Sequence, residues 1–164
     1  MNIWLIGMMG SGKTTVGRLL ASERDMEFRD VDSIISTRVG GTISKLWHRT
    51  GEEGFRALEA DIVEEVATGT GAVIASGGGA VLAEANRQAM RRSGTVIWLQ
   101  ASADALAARL VGATDRPLLA DDGTAPLAEL LNERLGAYED AAHHLVDTTS
   151  LTPVEVVDKI DEVL

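Results

Sequence analysis

Gly7-Met8-Met9-Gly10-Ser11-Gly12-Lys13-Thr14 fits the pattern G-x-x-x-x-G-K-[ST] at every position. It joins an apolar run, Asn2–Ile6, that reads as a buried strand to a segment, 13–21, whose Val16, Leu19 and Leu20 recur at helical spacing. A glycine-rich turn between a strand and a helix lets successive backbone N–H groups and the helix N-terminus converge on phosphate oxygens, an approach that Cβ atoms would obstruct. Lys13 supplies a mobile positive charge for the β- and γ-phosphates, and the Thr14 hydroxyl suits a ligand of Mg²⁺. Lysine occurs only at positions 13, 45 and 159, against twelve arginines, so background usage does not account for one inside this loop.

Outward from the loop, further strands are predicted at 28–30, 72–76, 96–99 and 145–147. Helical spacing appears at 34–38, 43–49, 51–68, 83–92, 103–110, 127–142 and 154–163, with Gly40-Gly41 breaking the chain between the first two. Short strands alternating with helices predict an α/β fold whose parallel sheet is covered on both faces. The stretch 111–125 mixes Gly, Asp and Thr without a clean period and reads as a mobile surface segment, a candidate lid. No repeat, linker or long charge block divides residues 1–164, which read as one domain.

Composition narrows the chemistry. The chain has no cysteine, which excludes disulfides, thiolate metal sites, cysteine nucleophiles and iron–sulfur clusters. Twenty-five acidic against fifteen basic residues give a net charge of −10, a field that repels nucleic acid and anionic membranes, so neither is expected as a partner. A few cations gathered in one cleft still suffice for a small anionic substrate. No apolar run approaches the roughly 20 residues that span a bilayer. The N-terminus lacks a basic n-region and a small-residue cleavage site, and the expected location is cytoplasmic.

Several polar residues fall near the predicted carboxyl ends of strands, where parallel α/β sheets place ligands. Asp30 and Asp32, read as positions i and i+2 of an extended segment, would point to one side, one serving a metal-bound water and the other a hydroxyl proton. The bland alternative has Asp32 capping a helix that begins at Ser33. Arg56 and Glu59 lie one helical turn apart, either as a surface ion pair or with Glu59 fixing the guanidinium to grip a carboxylate; spacing leaves both open. Gly77-Gly78-Gly79 is a tight turn that can also offer backbone N–H groups to a ligand. Arg116, in the candidate lid, suits a guanidinium that arrives on closure to meet charge on the γ-phosphoryl group. His143-His144 lacks partners at metal-ligand spacing and His48 reads as a surface side chain, while Trp4 and Trp98 read as core and Tyr138 as packing for the helix that carries Arg134.

Taken in order, these segments resemble the shikimate kinase family. The matching pieces are the Gly7–Thr14 loop, Phe28-x-Asp30-x-Asp32, Gly51-Glu52-x-x-Phe55-Arg56-x-x-Glu59, the glycine triplet, Arg116-Pro117-Leu118-Leu119, and Arg134 ahead of Tyr138. The loop alone is generic, whereas Asp32, Arg56, the triplet and Arg134 together distinguish this family from other small P-loop kinases. The resemblance implies a P-loop kinase of the nucleoside-monophosphate-kinase type, with five parallel strands in the order 2-3-1-4-5. It implies transfer of the ATP γ-phosphate to the 3-hydroxyl of shikimate, within aromatic amino acid biosynthesis, by a monomer.

The same resemblance assigns the residues. Gly10, Ser11, Gly12, Lys13, Thr14, Thr15, Arg109 and Arg116 would bind ATP, with Arg109 over adenine and Asp147-Thr148 at its edge. Lys13, Asp32 and Arg116 would be catalytic, Asp32 orienting or deprotonating the hydroxyl. Asp32, Arg56, Gly77, Gly78, Gly79 and Arg134 would bind shikimate, the two arginines clamping its carboxylate, in a region spanning about 32–60. Thr14 and, through water, Asp30 would hold Mg²⁺. Trp47 stands where a phenylalanine is common at the pocket wall, and Ser36 where a glutamate is frequent. Two other readings keep the loop: a different small-molecule kinase, such as a gluconate or nucleotide kinase, and a nonenzymatic nucleotide-binding switch. A switch has no evident use for Asp32, Arg56 and Arg134 together.

Overall fold

β1 (Asn2–Ile6) is the middle strand of a five-stranded parallel sheet of order β2-β3-β1-β4-β5, the order that the family resemblance implies. β3 (Ala72–Ala75) pairs with it on one side, placing Trp4 opposite Ile74, and β4 (Gly94–Gln100) on the other, placing Trp4 opposite Val96. β2 (Glu27–Asp30) and β5 (His144–Asp147) form the edges. Connecting them are α1 (Lys13–Glu23), α2 (Val31–Val39), α3 (Ile43–Ala67), α4 (Glu84–Ser93), α5 (Ala103–Arg109), α6 (Ala125–Ala141) and α7 (Pro153–Asp161). The computed structural model describes residues 1–111 and 125–164. Arg116 and nearly all of the expected lid at 111–125 therefore lie outside the described residues.

Every residue of β1 is buried, and its alternation sorts the core into two layers. Ile3 and Leu5 pack with Val16 and Leu20 of α1 and with Val156, Val157 and Ile160 of α7. Trp4 and Ile6 pack on the other face with Ile62 and Val66 of α3, Met90 of α4 and Tyr138 of α6. The near-continuous apolar runs of the central strands follow from this two-sided burial. Because all five strands run the same way, their carboxyl ends share one edge, and the neighbours of β1 leave a crevice there.

Local signals set the helix bounds. α3 is broken at Gly51, whose φ of 72° and ψ of −178° lie outside helical space, which is why the sequence shows two helical segments there. Thr152 and Glu155 form a reciprocal capping box at the start of α7. The extended placement of both aspartates is corrected: the chain enters α2 at Val31, so Asp30 is the helix cap and Asp32 lies in the first turn. The Asp30 carboxylate accepts from the Ser33 N–H at 3.2 Å, so the cap at Asp32 is corrected too. Val31 and Ile35 are both fully buried one turn apart, and that apolar pair fixes where the helix must begin.

Candidate functional site

The loop after β1 is shaped for an anion. Gly12 has a left-handed φ of 97° and caps α1 with no side-chain hydrogen bond, leaving the first-turn amides of that helix to a ligand. Lys13 Nζ donates to the carbonyls of Gly7 at 2.7 Å and Met8 at 2.9 Å, holding its charge over the loop. Thr14 Oγ1 donates to Asp30 Oδ2 at 2.8 Å. The correction at α2 thus leaves the Thr14–Asp30 pairing intact: one carboxylate oxygen caps the helix, and the other meets the hydroxyl. A hydroxyl beside a carboxylate, next to a phosphate cradle, is a hard-oxygen donor set that suits Mg²⁺.

A second group gathers at the ends of β2 and β3. Arg56 Nη1 donates to Glu59 Oε2 at 2.5 Å, and Glu59 is only 1% exposed, so the surface-pair reading does not hold. Burial pushes the Glu59 carboxyl above the usual range, Arg56 pulls it back, Asp32 adds repulsion and Arg134 further attraction. The Arg56 guanidinium lies 5.1 Å from the Phe55 ring and 5.9 Å from that of Trp47, which itself packs on Phe55 at 5.2 Å. Trp47 therefore forms the wall where its substitution for phenylalanine is expected to matter, whereas the Ser36 carbonyl serves the end of α2, accepting from the Gly41 N–H at 3.2 Å.

Arg134, from α6, is 3% exposed; its Nη1 touches the Met8 sulfur at 3.8 Å, and its buried Nε has no hydrogen-bond partner among the described residues. The glycine triplet lies between the two arginines. A Cβ on Gly77 would sit 2.5 Å from Glu59 Oε1 and 3.1 Å from Asp32 Oδ1, one on Gly78 3.3 Å from Arg134 Nη1, and one on Gly79 inside the Arg56 guanidinium. Glycine is thus imposed here by close approach.

The loop and the arginine group line one cleft of about 460 Å³, whose walls also include Asp32, Trp47, Arg109 and Thr148. Arg109 donates to the Thr148 carbonyl at 2.6 Å and the Gly10 carbonyl at 3.3 Å, joining the segment expected at the edge of the base to the phosphate loop. Leu151, Pro153 and Val156 add an apolar wall at the start of α7, which sequence reasoning missed although the Thr152-Pro153 cap marks the place.

Tyr138 is corrected from a packing residue to one that also touches the site's backbone, its hydroxyl donating to the Gly78 carbonyl at 2.5 Å. Of the histidines, His48 is exposed as expected, and His143 Nδ1 accepts from the Val96 N–H at 2.9 Å. Among the described residues, no helix is long and apolar enough to cross a membrane.

Known proteins share both the geometry and the sequence. The family model for shikimate kinase matches residues 9–164. A shikimate kinase of Symbiobacterium thermophilum is 45% identical over 99% of this chain and 97% of its own length, and one of Pseudoalteromonas atlantica is 42% identical over 98% and 95%. The structure of the Acinetobacter baumannii shikimate kinase in complex with shikimate superposes with a TM-score of 0.96 at 34% identity, covering 99% of this chain and 91% of that one. A gluconokinase from Sinorhizobium meliloti, at 22% identity and a TM-score of 0.58, shares the fold alone.

Proposed function

Because the chain belongs to the shikimate kinase family, we propose that it transfers the γ-phosphate of ATP to the 3-hydroxyl of shikimate, giving shikimate 3-phosphate and ADP. Amides at Gly10, Ser11 and Gly12 and the start of α1 bind the phosphates, with Lys13 following the charge as it moves to the β-phosphate; Thr15 and Arg109 complete the ATP site. Asp32 orients the acceptor hydroxyl and takes its proton as the oxygen attacks phosphorus. Thr14 and, through water, Asp30 hold Mg²⁺, which when bound neutralises phosphate charge. Arg116, in a lid spanning about 111–125, adds a guanidinium to the γ-phosphoryl group and excludes water.

Arg56 and Arg134 bind the acceptor's carboxylate, and Gly77, Gly78 and Gly79 shape the pocket, within a shikimate-binding region of about 32–60 that these later residues complete. The observation that carries this reading is the buried Arg134 guanidinium, with a nitrogen lacking a partner among the described residues, in the cleft that the phosphate loop also lines. Glu59 attracts the Arg134 charge without bonding this nitrogen, so a charged donor is left for the one carboxylate that the acceptor supplies. The enzyme works as a monomer.

The test is an assay that couples ADP release to a readout while shikimate, gluconate and nucleoside monophosphates are offered in turn. Turnover with shikimate alone is the expected result. Turnover confined to another acceptor rejects the assignment, and ATP binding with no transfer to any acceptor would favour a switch.

A further inference from the structure

We propose that Tyr138 is a positioning residue for the acceptor, acting by fixing the Gly78–Gly79 peptide between Arg56 and Arg134. The inference rests on the acceptor site proposed above. Tyr138 is fully buried, and its ring stacks on Trp98 with centroids 5.4 Å apart and planes at 19°. The hydroxyl donates to the Gly78 carbonyl at 2.5 Å, and its oxygen also meets the Arg134 guanidinium. Burial pushes the phenol up to about 12, so it stays a proton donor at any pH where the protein is folded and active.

The contact with the Gly78 carbonyl controls more than one atom. The Gly78 carbonyl and the Gly79 N–H belong to one trans peptide and point in opposite directions, so drawing the carbonyl towards α6 turns the N–H away from it. The two residues joined by this peptide are those against which the guanidinium groups pack, Arg134 at Gly78 and Arg56 at Gly79. Glycines have no side chains to hold the plane, and freedom about φ and ψ is greatest there. An anchored carbonyl supplies the missing constraint. Arg134 and Tyr138 also stand one turn apart on α6, so the helix that delivers a guanidinium to the cleft delivers the hydroxyl that sets the backbone beside it.

The test compares Tyr138→Phe with Trp98→Phe. Removing the hydroxyl keeps the ring stack but releases the carbonyl, so the shikimate KM should rise about five- to tenfold while the ATP KM stays within about twofold. Trp98→Phe loosens the stack without removing the hydroxyl; it should lower Tm and leave the shikimate KM within about twofold. Equal behaviour of the two variants, or an unchanged shikimate KM in Tyr138→Phe, overturns the proposal.

A second measurement does not depend on how the variants fold. Tyr138 is the only tyrosine in the chain, so replacing tyrosine by 3-fluorotyrosine during expression places one ¹⁹F label at this site. Its resonance should move on adding shikimate and hold still on adding ADP alone; a label blind to shikimate, or moved as much by ADP, also overturns the proposal. Failure of the wild-type protein to phosphorylate shikimate is a separate result that rejects the acceptor, and the same KM comparison is then read with the acceptor that is turned over.

Discussion

Replacing Gly79 by alanine separates the acceptor half of the cleft from the nucleotide half. The backbone at Gly79, φ −99° and ψ 0°, is open to any residue, so the substitution carries no conformational strain. Its Cβ, however, would lie 2.7 Å from Arg56 Cζ and 2.8 Å from Nη1, nearer than atoms can approach. Arg56 must swing aside, giving up its 2.5 Å bond to Glu59 and its place over Phe55. Breaking a charge-assisted hydrogen bond is worth about 1.5–3 kcal/mol. The folded state recovers part of this, because Glu59 is already raised by burial and takes up a proton when its cation withdraws. A displaced guanidinium cannot serve the acceptor, however, and about 2 kcal/mol of lost binding corresponds to a rise of about thirtyfold in shikimate KM. Initial rates at saturating ATP, with shikimate varied, measure it, and the ATP KM should hold steady. A folded Gly79→Ala enzyme with a shikimate KM within about twofold of wild type would show that Arg56 does not bind the acceptor.

Two further perturbations address other parts of the molecule. Lys13→Ala should lower kcat by about a hundredfold or more with shikimate affinity retained; near-normal turnover would refute the loop's part in transfer. His143 accepts the Val96 N–H only when Nδ1 is unprotonated, and burial, then Arg91, then His144 hold it below its usual 6.5. Its lowered folded value means that the unfolded chain binds the proton more readily, so its contribution is full above about pH 6.5 and fades as pH falls towards the folded value. The Tm difference between wild type and His143→Ala should shrink over that window, and a pH-independent difference would dismiss the linkage.

The sequence was most informative where chemistry and periodicity agree. The phosphate loop and the Arg56–Glu59 pair emerge as expected because their signals lie within one strand–turn–helix unit or one turn of helix, whereas the strand order, which spans the whole sheet, is reached through the family resemblance. Asp32 lies on a helix and not on the strand that its spacing suggests for a local reason: burial of Val31 and Ile35 decides where α2 starts, and an alternating pattern of acids cannot reveal which apolar residues the core will claim. The part Tyr138 plays at the site is not legible in the sequence because the Gly78 carbonyl it meets is 60 residues away and belongs to the backbone. A side-chain motif carries no trace of such a contact.

Proton movement on acceptor binding follows from the same charges. Two carboxylates, Asp32 and Glu59, and two guanidiniums, Arg56 and Arg134, meet around the glycine triplet, so their formal charges balance before any acceptor arrives. An incoming carboxylate makes the group negative and competes with Glu59 for Arg56. Burial has already raised the Glu59 carboxyl, and a second anion on its cation raises it further, so binding should draw a proton from solvent. Affinity for shikimate should then strengthen as pH falls towards the range where Glu59 titrates. Calorimetric titration of shikimate in buffers of different ionisation enthalpy reads the proton count directly. Glu59→Gln removes the titrating group while keeping an oxygen for Arg56 Nη1, and should abolish the buffer dependence. Equal proton uptake in wild type and Glu59→Gln would assign the proton to another group and remove Glu59 from the linkage.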